Sequence, residues 1–307
     1  MASVNNTTTI TNFNCASCGK VGGNLNMCNK CNMVKYCNAA CKKKHRSKHK
    51  KACEKRVSEL HDDALFKEHP PREDCPICFL PLPLDPGQTN FHPCCGKIIC
   101  NGCIYAMKEE ACGRGKIELC AFCREPEPSS AEEATKQIKK LMEADNADAF
   151  HNLAGYYEDG IKGMPQDFAK ANELWLKAGE LGCVEAYFKL GFSYNNERGV
   201  EMDKKKAMHY YELAAMSGDV HARHNLGFQE GKAGNYHRAM KHFRLAANAG
   251  YKKSLDMVKK GYMDGIVTKD EYASTIRAYH QRVDETTSDD RDKAEAAYLH
   301  LRLRALT

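Results

Sequence analysis

The chain has 307 residues, 42% of them hydrophobic and 28% charged, with 17 cysteines and a formal net charge of +6. That length leads us to expect two or three domains; no run approaches the roughly 18–20 apolar residues of a bilayer span, and Met1–Asn14 lacks the basic-then-apolar layout of an export signal. A membrane-spanning or secreted chain is therefore not expected, and clustered Cys-x-x-Cys pairs in a cytoplasmic or nuclear chain point to metal rather than to disulfides.

Residues 1–14 are polar and aperiodic and are expected to form a disordered lead. The first cysteine block follows at 15–53, as Cys15-x2-Cys18, Cys28-x2-Cys31, Cys37-x3-Cys41 and His49-x3-Cys53. Eight soft or borderline ligands suffice for two closed tetrahedral Zn²⁺ sites. A segment of about forty residues buries too little apolar surface to fold unaided, so the metal would supply folding energy, and closed sites would make it structural rather than catalytic. The run Lys42–Arg56 carries nine Lys/Arg against the single acid Glu54, so most of the chain's positive excess sits in this block. A solvated helix face explains that run better than specific nucleic-acid binding, since no aromatics are interleaved; it also has the composition of a nuclear-import signal.

This block resembles a MYND zinc finger over its full length, including the Tyr36-Cys37 step and the terminal His-x3-Cys. The resemblance implies interleaved ligands, Cys15, Cys18, Cys37 and Cys41 on one ion, Cys28, Cys31, His49 and Cys53 on the other. It also implies proline-rich peptide segments as partners. Arg46 stands where the family usually has an aromatic after the first helix histidine. His45, one turn before His49, is a competing ligand in principle, with a packing or solvated role preferred.

A charged linker is expected over 54–73. The second block, 74–124, orders its cysteines as Cys75-x2-Cys78, Cys94-Cys95, Cys100-x2-Cys103 and Cys120-x2-Cys123, again eight ligands for two ions. It resembles a RING finger of the all-cysteine variety. The resemblance pairs Cys75, Cys78, Cys100 and Cys103 on one ion and Cys94, Cys95, Cys120 and Cys123 on the other, giving four structural Zn²⁺ in the chain. Adjacent cysteines are tight on one metal, so His92 with Cys95 stands as the alternative to Cys94. Cys112 is spare. By resemblance, Ile77, Met107, Phe122 and Arg124 occupy the positions that contact a ubiquitin-conjugating enzyme (E2), although Met107 replaces a larger aromatic and Ala121 a proline. A RING-type E3 ubiquitin ligase needs no catalytic residue of its own, because it acts by positioning the E2-bound ubiquitin thioester.

After the Pro/Ser linker and leading helix expected over 125–140, the sequence repeats itself. Ala149-x3-Leu153, Ala186-x3-Leu190-Gly191 and Ala222-x3-Leu226-Gly227 recur at intervals of 37 and 36. Ala171, Trp175, Ala178 and Gly182 reappear 36 residues later as Ala207, Tyr211, Ala214 and Gly218, and 32 after that as Ala239, Phe243, Ala246 and Gly250, so the third unit has a shortened loop. Small residues allow close helix pairs, the aromatic is expected to fill the groove to the next unit, and the glycine ends the helix. Trp175, Tyr211 and Phe243 are expected in the core, Cys183 as a small buried residue, and Asn152 and Asn225 are possible groove positions. Ser254, Val258 and Lys269–His280 read as a degraded fourth unit or cap.

The pattern resembles Sel1-like repeats, which implies an α/α solenoid over 141–280 that binds protein clients. Residues 281–307 read as a polar tail with a possible helix carrying Ala294, Ala297, Tyr298 and Leu301 on one face. The expected fold class is thus mostly α: MYND-like and RING-like zinc-stapled domains followed by a solenoid of Sel1-like repeats. The expected function is a RING-type E3 ligase whose finger and repeats recruit proteins. The alternative is a non-enzymatic scaffold or nuclear co-regulator. Nucleic acid and membrane are not expected partners.

Overall fold

The computed structural model describes residues 14–22, 24–68, 70, 72–112 and 119–304, the side chains of 111–112 and 300–304 excepted. The expected disordered lead (Asn14 apart), the Cys112 thiol and Leu301 of the expected C-terminal face lie outside it. The chain forms two compact units, dividing between Lys67 and Glu68. No helix among the described residues is long and apolar enough to cross a membrane.

The first unit holds a two-stranded antiparallel hairpin, β1 (Asn26–Met27) and β2 (Lys35–Tyr36), and one long helix, α1 (Ala39–Leu65). Asn38 caps α1 by accepting from the Cys41 N–H at 2.9 Å. Only His49, Cys53 and Leu65 of its 27 residues are buried. A helix so polar all round has no apolar stripe to hold it, and ligands take that place. Glu54 and Glu59 pair with Lys50 and Lys55 one turn away on exposed surface, consistent with a solvated basic face. The expected linker over 54–73 is corrected here: the ligand helix runs on through Leu65, so more than half of that stretch is helix.

In the second unit, β3 (Thr89–His92) and β4 (Lys97–Cys100) form an antiparallel hairpin whose turn carries Cys94 and Cys95, and α2 (Asn101–Cys112) follows directly. The leading helix α3 (Ala131–Glu143) is capped by Ser130. Six 13-residue helices then make three antiparallel pairs: α4 (Ala147–Asp159) with α5 (Phe168–Glu180), α6 (Val184–Asn196) with α7 (Lys204–Met216), and α8 (Val220–Lys232) with α9 (Tyr236–Asn248). The α8–α9 connection is three residues, the shortened loop that the spacing foretold. α10 (Lys252–Met263) and α11 (Lys269–Thr286) close the stack, with Ser254 and Val258 fully buried.

The repeat positions do what their chemistry requires. Trp175, Tyr211 and Phe243 are buried, as are Ala149, Ala186 and Ala222. Gly182 adopts φ +105°, which favours glycine. There the Cys183 N–H donates to Ala178 O and the Gly182 N–H to Gly179 O, a Schellman stop that recurs at Gly218 and Gly250. The aromatics reach the next unit as expected: Lys189 Nζ of the second repeat lies 5.3 Å from the centroid of the Trp175 ring, the Asn225 side chain of the third hydrogen-bonds Tyr211, and Phe243 shares a core with Val258 of α10. A β-carbon on Gly191 of α6 would lie 2.6 Å from the Tyr211 ring of α7, and one on Gly227 of α8 2.7 Å from the Phe243 ring of α9, both within one repeat. The ring seats on the glycine of its own helix pair.

The C-terminal stretch is also corrected. Asp284–Thr286 belong to α11, and α12 (Asp289–Arg304) packs against α2 of the second cysteine block, with Ala294 buried and Tyr298 exposed. That block leans along the repeats as well. Phe91 packs on the first-repeat core, Gly96 abuts Asn146 at the cap of α4, and Arg72, just ahead of the block, donates to Ala249 O at 3.1 Å, at the end of α9.

Candidate metal centres

Four quartets of ligand atoms lie together, each with all its atoms within 4.8 Å of one another: Cys15, Cys18, Cys37 and Cys41; Cys28, Cys31, His49 and Cys53; Cys75, Cys78, Cys100 and Cys103; and Cys94, Cys95, Cys120 and Cys123. In both blocks the first and third pairs meet, as do the second and fourth. The chain is thereby cross-braced, each block closed twice.

Distances within the quartets suit a tetrahedral ion. Bonds of about 2.3 Å from Zn²⁺ to sulfur imply sulfurs about 3.8 Å apart along a tetrahedron's edges. Cys18–Cys37 stands at 3.7 Å, Cys28–Cys53 at 3.9 Å, Cys75–Cys103 and Cys78–Cys100 at 3.8 Å, and Cys95–Cys120 at 3.9 Å. His49 Nε2 faces Cys31 Sγ at 3.2 Å. The four clusters are compatible with structural Zn²⁺, and their four protein ligands leave no position for a reactive water.

Local backbone prepares the thiolates. In each Cys-x2-Cys turn at Cys15, Cys28, Cys75 and Cys120, the residue just after the second cysteine returns its N–H to the first cysteine's carbonyl. These residues, Gly19, Asn32, Phe79 and Arg124, all have positive φ, between +53° and +75°. Glycine and asparagine take that region readily, while Phe79 and Arg124 are held there by the turn. Such turns aim N–H groups at sulfur. The Cys37 N–H, joined by those of Cys18 and Ser17, holds the Cys15 thiol down to about 6. A hydrogen bond from the Cys100 thiol, joined by the Cys100, Cys78 and Ile77 N–H groups, holds Cys75 down to about 4 against its burial. Thiolate character of this kind is what a zinc ligand needs.

The two alternative histidines stay out of the quartets. His45 Nδ1 meets the buried Tyr36 hydroxyl at 3.2 Å and its ring stacks on His49, a packing role. His92 is buried with Nδ1 3.9 Å from Glu127, whereas Cys94 Sγ lies 3.5 Å from Cys123 Sγ. The geometry gathers Cys94, and burial pushes the His92 imidazole below the ordinary histidine range.

Of the other residues singled out, Phe122 is 45% exposed, Ile77 and Met107 are half-buried, and Ala121 is buried. The exposed Arg124 donates to Met107 Sδ at 3.5 Å, which joins the last zinc loop to the middle of α2. Phe79, 75% exposed beside Ile77, was missed by sequence reasoning; its position after Cys78 was the available signal. Cys183 is buried and burial raises its thiol, while Asn152 donates to Asp148 O within its own helix.

Four closed quartets and a stack of helix pairs define a metal-stapled helical-repeat protein. The MYND finger model matches residues 15–53, and the Sel1 repeat model matches 147–183, 184–219 and 220–251. The chain thus carries a MYND finger and three Sel1 repeats. Among solved structures, a Sel1 repeat protein from Oxalobacter formigenes is 24% identical, covering 52% of this chain and 67% of that one at a TM-score of 0.43. A protective antigen of uropathogenic Escherichia coli strains displaying an SLR fold is 20% identical, covering 59% of this chain but only 40% of its own, at a TM-score of 0.45. The solenoid itself is defined by the three Sel1 repeat matches and the register of its helix pairs.

Proposed function

We propose that this protein is an interaction scaffold whose second cysteine block docks an E2 and positions its ubiquitin thioester for attack by a lysine, as RING-type ligases do. MYND fingers and Sel1 repeats are generally protein-interaction modules, and together they suggest a scaffold. The observation that carries the finer reading is the cross-braced pair of quartets around α2, with the exposed Phe122 and Arg124 near Met107 in the middle of that helix. Apolar side chains held out by a rigid metal site mark an interface. Catalysis of this kind is positioning, and the block supplies no group to the chemistry.

The MYND finger and the repeats would recruit the partners. Met27 and Met33 are exposed beside the β1–β2 hairpin, a surface suited to a proline-rich segment. A reducing compartment, cytoplasm or nucleus, suits cysteines that stand as free thiols in quartets. A second reading, the non-enzymatic scaffold, draws on Ala121: with that residue buried, Phe122 is the one exposed apolar side chain between Cys120 and Cys123.

Discharge of E2-bound ubiquitin to free lysine, across a panel of E2 enzymes, separates the two. The ligase reading expects activity that Ile77→Ala and Arg124→Gly both reduce at least tenfold without loss of zinc, glycine keeping the positive-φ turn. No discharge with any E2, or discharge indifferent to both changes, leaves the scaffold alone.

A further inference from the structure

The first turn of α12 reaches into the second cysteine block at one point. Arg291 donates through Nη2 to Cys78 Sγ at 3.4 Å and to Leu80 O at 3.3 Å, and through Nη1 to Pro81 O at 2.8 Å and Thr286 O at 2.7 Å. Its guanidinium therefore joins a cysteine of the Cys75, Cys78, Cys100 and Cys103 quartet, the backbone of the loop after it, and the end of α11. The partners in the loop lie 210 to 213 residues away in sequence.

Room for this contact depends on α2. At Gly102, between two cysteines of the same quartet, a β-carbon would stand 2.8 Å from both Arg291 Cγ and Arg291 N. Backbone on the far side cannot give way as a flexible side-chain tip would, so only glycine lets the helices approach this closely.

Four thiolates around one Zn²⁺ leave a formal charge of −2 on the site. A guanidinium donating to one of those sulfurs offsets that charge and fixes the ligand's orientation. We infer that Arg291 is an outer-sphere partner of the metal held by Cys75, Cys78, Cys100 and Cys103, so that metal retention in this site and docking of α12 on α2 stabilise each other. Linkage makes the coupling reciprocal: whatever α12 adds to metal affinity, the metal adds to α12 docking. The C-terminal helix is then a working part of the zinc module. This inference rests on the thiolate site and not on E2 docking, so a chain that discharges no E2 leaves it standing.

The test uses the full chain loaded with zinc and a colorimetric chelator that reports release of each ion. Outer-sphere losses typically cost about 10–100-fold in metal affinity. Arg291→Gln and Gly102→Ala should each release one ion of four at least tenfold faster, with the other three at the wild-type rate, while the exposed neighbour Lys293→Gln releases all four as wild type does. Hydrogen exchange on the wild-type chain needs no variant: amides of 289–299 should lose protection when the site is stripped. Release profiles of both variants that superimpose on wild type would overturn the inference, as would α12 protection that survives metal loss.

Discussion

Tyr211 packs against Gly191 of its own repeat, so close that a β-carbon on that glycine would stand 2.6 Å from the ring. Phe243 and Gly227 repeat the relationship in the next unit, 32 and 36 residues further along the chain, and the corresponding glycine position of the first unit is Ala154, buried in the same core as Trp175. The aromatic and the small residue are thus one device, and helix propensity yields to packing at that position.

This relationship predicts opposite signs for chemically identical changes. Gly191→Ala and Gly227→Ala should each cost about 1–3 kcal/mol by overpacking. Gly231→Ala on α8, whose new β-carbon would meet only Ala239 Cβ at 3.8 Å, should instead stabilise by up to about 1 kcal/mol through helix propensity. Denaturant unfolding followed by helical circular dichroism reads all three. Equal effects at the three sites would contradict the ring-on-glycine packing.

His224 gives the solenoid a pH dependence. It is buried, its Nδ1 is 2.7 Å from the Ser254 hydroxyl, and burial, followed by the charges of Lys253 and His221, holds its pKa down to about 4. The folded-state value lies below the unfolded one near 6.5, so its contribution to stability is fully present above about pH 6.5 and is lost as pH falls toward 4. Thermal unfolding of wild type should weaken between pH 6.5 and 5 more steeply than that of His224→Gln. Parallel curves for the two would contradict the assignment.

Chelation should divide the chain. Cys15, Cys28, Cys31 and Cys53 make up most of the MYND finger's small buried core, so stripping zinc should remove the ordered fold of residues 15–53. The Sel1 helices bury their own alanine, leucine and aromatic core and should keep most of their helical signal. Circular dichroism and limited proteolysis before and after chelation read the difference, and collapse of both parts together would contradict it.

Much of this was legible in the sequence for physical reasons. Metal ligands must be specific residue types at spacings that let turns close, so the sixteen positions stand out. Repeat packing imposes the same small and aromatic residues every 32 to 37 positions. The course of α1 past Cys53 was not legible, because a helix held by ligands carries no apolar stripe. Phe79 and Arg124 gave no warning of positive φ, since the turn imposes it without a glycine. The docking of α12 was hidden as well: Arg291 is received largely by backbone carbonyls of Leu80 and Pro81, and carbonyls leave no mark in a sequence.

The four-site architecture is tested most directly by native mass spectrometry of the full chain. Four zinc ions should be bound, Cys94→Ser should bind three or lose the fourth readily, and His92→Gln should retain all four. Two or three ions on the wild-type chain, or loss of an ion from His92→Gln with Cys94→Ser unaffected, would contradict it.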